Sequence, residues 1–295
     1  MNHAEQNTAG RVATVGTFDG VHRGHRAVLQ TVKRIADAEG LRPAVITFDR
    51  HPLEVVAPER APKRLMTPAD EAATLASLGL EVEVIPFTRE LMGLSAGEWM
   101  ERMARDMGVR TLVVGYDNTF GRDGIDMSVA DYIRLGRLHG IEVVKAPIVP
   151  GISSSAIRRA VGEGRVEKAA GMLGRPYSLE GTVEQGNRLG RTIGFPTANL
   201  RPEAGRLVPA NGVYSADAIL PGGERRRAVV NIGVRPTVGD NLRPTVEAHI
   251  IGWHGDLYGK ELTLEFLRHL RDERRFDSLD SLKRQIEADT AEASR

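Results

Sequence analysis

The sequence predicts two domains: a doubly wound α/β domain, then a small antiparallel β-barrel with a C-terminal helix. Three observations predict this. Strand and helix signals alternate through the first half, the order that gives a parallel sheet covered on both faces. At Gly174-Arg-Pro-Tyr177 the texture changes, and short strand candidates then recur between Gly and Pro turns. The 295 residues also suffice for two cores of ordinary size. Residues 1–172 are assigned to the first domain and 173–295 to the second, with no floppy linker between them.

Val12–Val15 is a short strand-forming run. Arg23–Glu39 then carries Ala27, Val28, Leu29, Val32, Ile35 and Ala36 on a helical stripe, and Gly40 is the candidate C-cap. Ala44–Phe48 reads as a second strand, Thr67 to about Gly79 as a helix, and Glu81–Pro86 as a third strand. Ser95 with Glu98 forms a capping box opening a helix to Met107. Thr111–Gly115 is a fourth strand, Ser128–His139 a helix and Ile141–Ala146 a fifth strand. Ser153 and Ser154 open a helix through Val161, and Val166–Leu173 continues as a short helical linker. This order places a ligand at the carboxyl ends of the strands. In the second half the strand candidates are Tyr177–Glu184, Gly212–Leu220, Arg227–Ile232, Thr245–Gly252 and Glu261–Leu270. The closing helix, Ser278–Ala291, has Leu279, Leu282, Ile286 and Thr290 near helical spacing. There is no internal repeat and no low-complexity segment.

Composition narrows the class. A chain 41% hydrophobic and 27% charged is globular, which argues against long disorder. A formal net charge of +1 gives no reason to expect nucleic acid or a membrane as partner. With no cysteine, disulfides, thiolate metal sites and a thiol nucleophile are excluded. No apolar run approaches the roughly 20 residues needed to cross a bilayer, and Met1–Asn7 lacks the pattern of a signal peptide. The expectation is a cytoplasmic protein, a monomer or weak homo-oligomer, with small-molecule partners.

The densest motif is Thr14-Val-Gly-Thr-Phe-Asp-Gly-Val-His-Arg-Gly-His25, a strand running into a Gly-rich turn where a helix begins. A helix N-terminus offers unpaired N–H groups and the positive end of the macrodipole, which favour phosphate. Gly16, Gly20 and Gly24 let backbone approach a ligand around Phe18 and Asp19. His22 and His25 add donors able to follow negative charge developing on a phosphoryl group. The same residues fit a strand-turn-helix whose histidines merely cap and pack. Further polar clusters fall at strand ends: Thr47–Pro52, Gly115–Gly121 with Asp117 and Asn118, and Ile152–Arg158. The last supplies the hydroxyls of Ser153 and Ser154 and, a turn later, the cation of Arg158. Each alone is compatible with an ordinary cap or turn. Together they converge on one edge of one sheet and suit a triphosphate.

Gly181–Asn199 is the second dense signal. Gly186, Gly190 and Gly194 with Arg188 and Arg191 suit a loop wrapped over phosphates, although no Gly-Lys-Ser/Thr closes a Walker A motif. Gly255–Lys260 imitates that motif one residue short and reads as a tight turn between strands. Thr197 and Asn199 offer two neutral oxygen donors in one short element, which suits Mg²⁺ carried in mainly by ATP. An ordinary turn explains Pro196–Asn199 equally well.

The first half resembles the nucleotidyltransferase domain of the bifunctional bacterial riboflavin kinase/FMN adenylyltransferases, also called FAD synthetases. Gly16–His25 matches the family's Gly-x-Phe-Asp-Gly-Val-His-x-Gly-His, and Phe48–Pro52 its Phe-x-x-His-Pro element. Ile152–Arg158 matches Ile-Ser-Ser-Thr-x-x-Arg with Ser155 in place of threonine, which keeps the hydroxyl. The loop Gly115–Gly124 departs from the family pattern, with a shorter tail and no aligned second arginine. The second half is similar to the riboflavin kinase domain: Gly174–Tyr177, Gly194–Leu200, Gly212–Tyr214, Asn231–Thr237 and Gly255–Lys260 stand in family order. The resemblance covers nearly the whole chain beyond the first ten residues.

That resemblance implies a Rossmann-like nucleotidyltransferase domain and a kinase barrel. It places Glu247 at the catalytic base, Thr197 and Asn199 at the magnesium site, and Leu270–Phe276, with Arg271 and Phe276, beside the flavin. The implied reactions are phosphorylation of riboflavin to FMN by ATP, then adenylylation of FMN to FAD with release of pyrophosphate. His22, His25, Ser153, Ser154 and Arg158 would act at the α-phosphate. Glu247 in an Arg-rich strand is also compatible with a structural ion pair. Three rivals stand beside this reading. A class I aminoacyl-tRNA synthetase would need a KMSKS-like loop, which Ile152–Arg158 does not supply. A kinase with a weakened adenylyltransferase domain is the second, and a non-catalytic flavin or nucleotide sensor the third.

Overall fold

A computed structural model describes residues 10–115, 119–186, 190, 193–234 and 244–295. The chain forms two compact units, Met1–Pro62 with Pro68–Ile152 and Lys63–Thr67 with Ser153–Arg295.

In the first unit, β1 (Arg11–Val15), β2 (Arg42–Phe48), β3 (Glu81–Ile85), β4 (Val109–Val114) and β5 (Glu142–Lys145) form a parallel sheet. Its order is β3-β2-β1-β4-β5. The winding direction reverses between β1 and β4, which opens a crevice at the carboxyl ends of those two strands. Helix α1 (Arg23–Glu39) buries Leu29, Val32, Ile35 and Ala36, the stripe its sequence predicts. Gly40, at φ 65°, ends it in the left-handed region. On the other face of the sheet, helix α5 (Ala96–Asp106) packs Trp99, Met100 and Met103 in one cluster with Ala13, Val15, Leu112 and Val114. Capping boxes at Ser95/Glu98 and Ser128/Asp131 start α5 and α6 (Val129–Leu138).

The remaining helices of this unit are α2 (Pro52–Val56), α3 (Pro68–Ser77) and α4 (Arg89–Gly93). Neither α2 nor α4 is predicted from periodicity, because five residues are too few to show it. Local caps make them instead. The His51 ring accepts the Leu53 N–H at 3.1 Å, and the Thr88 hydroxyl accepts the Leu91 N–H at 3.2 Å.

The second unit begins with α7 (Ser154–Gly162) and α8 (Val166–Leu173). Six antiparallel strands follow: β6 (Tyr177–Glu184), β7 (Ala198–Pro202), β8 (Gly212–Ile219), β9 (Arg225–Val234), β10 (Pro244–Ile250) and β11 (Glu261–Arg271). They close a barrel in the order β10-β7-β6-β11-β8-β9. Strand β7 is absent from the predicted set, since Ala-Asn-Leu-Arg-Pro has neither β-branched residues nor alternation. Pairing on both sides, with β6 and β10, makes it a strand. In β10, Val246, Ala248 and Ile250 are buried, while Thr245, Glu247 and His249 alternate onto the opposite, half-buried face.

Helix α9 (Leu279–Ala293) covers part of that outer face, where Ala293 packs with Val213 and Val229. An ion pair ties it down. The Arg271 guanidinium donates to the Asp289 carboxylate at 2.8–3.2 Å, and Asp289 is 3% exposed. Asp289→Ala would leave Arg271 facing a half-buried gap. It should destabilise the second unit by about 3 kcal/mol, the low end for a broken buried pair because Arg271 keeps some contact with water. Urea denaturation followed through the barrel checks this, and an unchanged midpoint would contradict it.

Candidate active sites

The first site is built where β1 ends. Gly16 N–H donates to the Ile46 carbonyl at 3.1 Å, and the chain then reverses in a turn closed by Val21 N–H donating to the Phe18 carbonyl at 2.7 Å. Gly20, at φ 87°, needs no side chain to clear. Val21 follows at φ 36°, which a β-branched residue adopts only under strain of about 1–3 kcal/mol. Packing holds it there: Val21 is fully buried, and Phe18, Asp19 and His22 are nearly so.

His22 is the N-cap of α1, and its Nδ1 accepts the His25 N–H at 3.1 Å. An accepting Nδ1 fixes the tautomer, so the neutral ring carries its proton on Nε2. Gly24 makes room for this ring, since a Cβ there would lie 3.1 Å from His22 Cε1 and Nδ1. The sequence motif therefore serves the helix cap directly. The His22 and His25 rings stack with centroids 3.6 Å apart, and Phe18 meets His25 edge-on at 5.1 Å. Gly16, Phe18, Asp19, Gly20, His22, Gly24 and His25 are thus brought together at the end of β1 and the start of α1.

The other predicted residues of this site are placed less simply. Asn118, with Asp117, lies outside the described residues. The described part of the Gly115–Gly124 loop is anchored locally. Phe120 N–H donates to the Tyr132 hydroxyl at 3.0 Å, and Asp123 accepts the Ala96 N–H at 2.7 Å. Within the first unit, the Ile152 carbonyl lies 3.7 Å from where a Gly24 Cβ would sit. Ser153, Ser154 and Arg158 belong to the second unit. There Ser153 caps α7 by accepting the Ala156 N–H at 3.2 Å, and Arg158 Nε donates to the Lys63 carbonyl at 2.8 Å.

The second site lies on the outer face of the barrel. Strand register sets Glu247 of β10 opposite Asn199 of β7 on one side and Asn231 of β9 on the other. The carboxylate therefore stands in a row between two amides. A cavity of about 310 Å³ opens here, with Glu247, Asn231, Thr197, Gly190, Arg271, Glu273 and Phe276 in its lining and Leu282 and Ile286 of α9 among its apolar walls. Thr197 also lines a second cavity of about 590 Å³, together with Trp253, His254, Asp256 and Tyr258. The Gly255–Lys260 segment is thus a turn, as its sequence suggests, and its residues also line a cavity.

A Cβ on Gly186 would overlap the Asn199 amide, so the glycine serves Asn199 directly. Gly194 follows in the same segment, while Arg188 and Arg191 lie outside the described residues. Arg271 spends its guanidinium on Asp289 and on the Asp272 carbonyl, at 3.0 Å. It borders the cavity as a strut, with Phe276 5.8 Å from its guanidinium carbon. Asn231, Glu273 and His249 are cavity residues that sequence reasoning does not single out. Period-2 alternation from Glu247 points to His249, but only the β9–β10 register brings Asn231 beside them.

No group of three or more His, Asp or Glu among the described residues is placed to hold a metal ion. Thr197 and Asn199 are neutral, so a divalent cation there would take its balancing charge from a ligand's phosphates. That donor set fits Mg²⁺ arriving with a nucleotide.

A parallel sheet with a helix N-terminus at its switch point, joined to a barrel whose cavity holds a carboxylate among amides, defines a two-domain transferase acting on nucleotides. Comparison with known proteins agrees. The FAD synthetase profile matches residues 4–158 and the riboflavin kinase profile residues 173–295. The chain is 38% identical to the bifunctional riboflavin kinase/FMN adenylyltransferase of Pseudomonas fluorescens, over 96% of this chain and 92% of that one. It is 36% identical to the Bacillus subtilis enzyme of the same description, over 99% and 94%. A crystal structure described as a macrolide-efflux protein from Streptococcus pneumoniae shares the fold with a TM-score of 0.90 at 31% identity, covering 98% and 95% of the two chains. The chain belongs to the bifunctional riboflavin kinase/FMN adenylyltransferase family. It phosphorylates riboflavin to FMN with ATP and adenylylates FMN to FAD. Among the described residues, no helix is long and apolar enough to cross a membrane.

Gly186→Ala should displace the Asn199 amide and lower riboflavin phosphorylation at least about 10-fold, since small misplacements near reacting groups are costly. Conversion of FMN to FAD should be unchanged. Chromatographic assay of both products checks this, and full kinase activity would contradict the proposed role of Asn199.

Proposed function

We propose that the two reactions divide between the two sites, the barrel cavity making FMN and the turn after β1 making FAD. The observation that carries this is Glu247, standing between Asn199 and Asn231 where a cavity with apolar walls opens. Riboflavin's ring system suits that cavity, and ATP suits the neighbouring one lined by Trp253 and Tyr258, with Thr197 common to both. The 5′-hydroxyl of riboflavin is a poor nucleophile. Glu247 accepts its proton as the oxygen attacks the γ-phosphorus and ADP leaves. Of the other two carboxylates of the cavity, Asp289 is paired with Arg271 and Glu273 is exposed on the loop after β11. Thr197 and Asn199 would hold Mg²⁺, which would supply charge neutralisation to the transferring phosphates.

In the second reaction the FMN phosphate is already ionised and needs no strong base. Its oxygen attacks the α-phosphorus of ATP and pyrophosphate leaves. The His22 Nε2–H, His25 and the N-terminus of α1 stabilise the charge that develops. Ser153, Ser154 and Arg158 join them in this reading. Their place in the Ile152–Arg158 match to the family motif supports this. The functional boundary falls between 172 and 173, where the kinase match begins. The enzyme works in the cytoplasm as a monomer or weak homo-oligomer.

Glu247→Gln tests the division. With riboflavin, ATP and Mg²⁺, FMN formation should fall by about 10²- to 10⁴-fold, the range for removal of a general base. Conversion of supplied FMN to FAD should persist. Loss of both activities in a folded variant would overturn the division into two sites.

A further inference from the structure

Beneath the glycine turn of the first unit lies a buried acid that neither reaction above uses. Glu71, early in α3, is 7% exposed. Its Oε1 accepts the Thr47 hydroxyl at 2.9 Å and the Phe18 N–H at 3.4 Å. Thr47 is itself buried near the end of β2. One oxygen therefore joins β2, α3 and the first residue of the turn. The shorter bond to Thr47 fixes the carboxylate, and the longer one ties it weakly to Phe18.

Phe18 is gripped from both sides, because its carbonyl accepts the Val21 N–H at 2.7 Å. That turn carries the strained backbone at Val21, which persists only while its surroundings over-determine it. From the same residue, the Phe18 ring touches His25, and His25 stacks on His22. A path of direct contacts thus runs from the Glu71 carboxylate to both histidines. Burial of a carboxylate is costly unless hydrogen bonds compensate it, so its presence under this turn calls for a reason beyond filling space.

We propose that Glu71 is a positioning residue for adenylyl transfer, setting the Phe18 peptide and through it the rings of His25 and His22. This rests on the assignment of those histidines to FAD formation. It acts on geometry alone and touches no substrate.

The test is steady-state kinetics of FMN adenylylation on the full-length chain, with circular dichroism and thermal unfolding of the same sample reporting that the first unit is folded and riboflavin kinase activity reporting on the second. Glu71→Ala should lower kcat for FAD formation on the order of 10- to 100-fold, the cost of misplacing reacting groups by about an ångström. The KM values for FMN and ATP should change by less than about 3-fold, because binding is not what is lost. Glu71→Gln keeps an acceptor oxygen and should restore kcat to within about 3-fold of the parent, while Thr47→Val should lower it in the same direction as Glu71→Ala. A rise in KM with kcat unchanged, a failure of glutamine to rescue, or an equal fall in kinase activity would each overturn the proposal. His25→Ala separates the two ideas. If it is inactive in FAD formation while Glu71→Ala keeps its kcat, the positioning role fails and the site stands; if it is fully active, the site assignment itself fails.

Discussion

Strand β1 ends in the middle of a parallel sheet, and α1 must start back along it after only the residues 16–22. The chain makes this reversal with Gly20 and Val21 in the left-handed region. Burial of Val21 and Phe18 sustains the strain. The return is a helix N-terminus aimed at the switch point of the sheet, with His22 capping it and His25 stacked above. Cap and proposed site share one structure here. The Nδ1 of His22 is spent on the helix, and that use determines which nitrogen carries the proton.

The second unit reaches its site by a different route. Closure of the barrel requires β7, and β7 brings Asn199 level with Glu247. Strand β9 brings Asn231 to the same level from the other side. Because the interior is filled by Val246, Ala248 and Ile250, the polar row faces outward, where α9 and the segment after β11 shelter it. The Arg271–Asp289 pair holds that shelter in place.

Much of this was legible in the sequence, for physical reasons that differ by element. Seventeen residues of α1 show their stripe plainly, and the capping box at Ser95 announces α5. Strand β7 was not legible, since its pairing partners rather than its composition make it a strand. The histidine turn was legible as a motif, with capping and phosphate binding both open; the His22 Nδ1 bond that makes the cap is seen only in the structure. Glu71 gave no signal at all, because an acid in the first turn of a helix is normally solvated, and only the packing of α3 buries it. Arg271 was legible as a cation beside the cavity, but its ion pair with Asp289, 18 residues away, was not.

The central claim is that one chain holds two separate sites, each sufficient for its own step. Mixing Glu247→Gln with His25→Ala tests this most directly, since each variant keeps the site the other lacks. Supplied with riboflavin, ATP and Mg²⁺, neither alone should make FAD from riboflavin, whereas the mixture should do so through FMN released into solution. A mixture that accumulates FMN but forms no FAD, although the Glu247→Gln chain converts added FMN, would contradict the account.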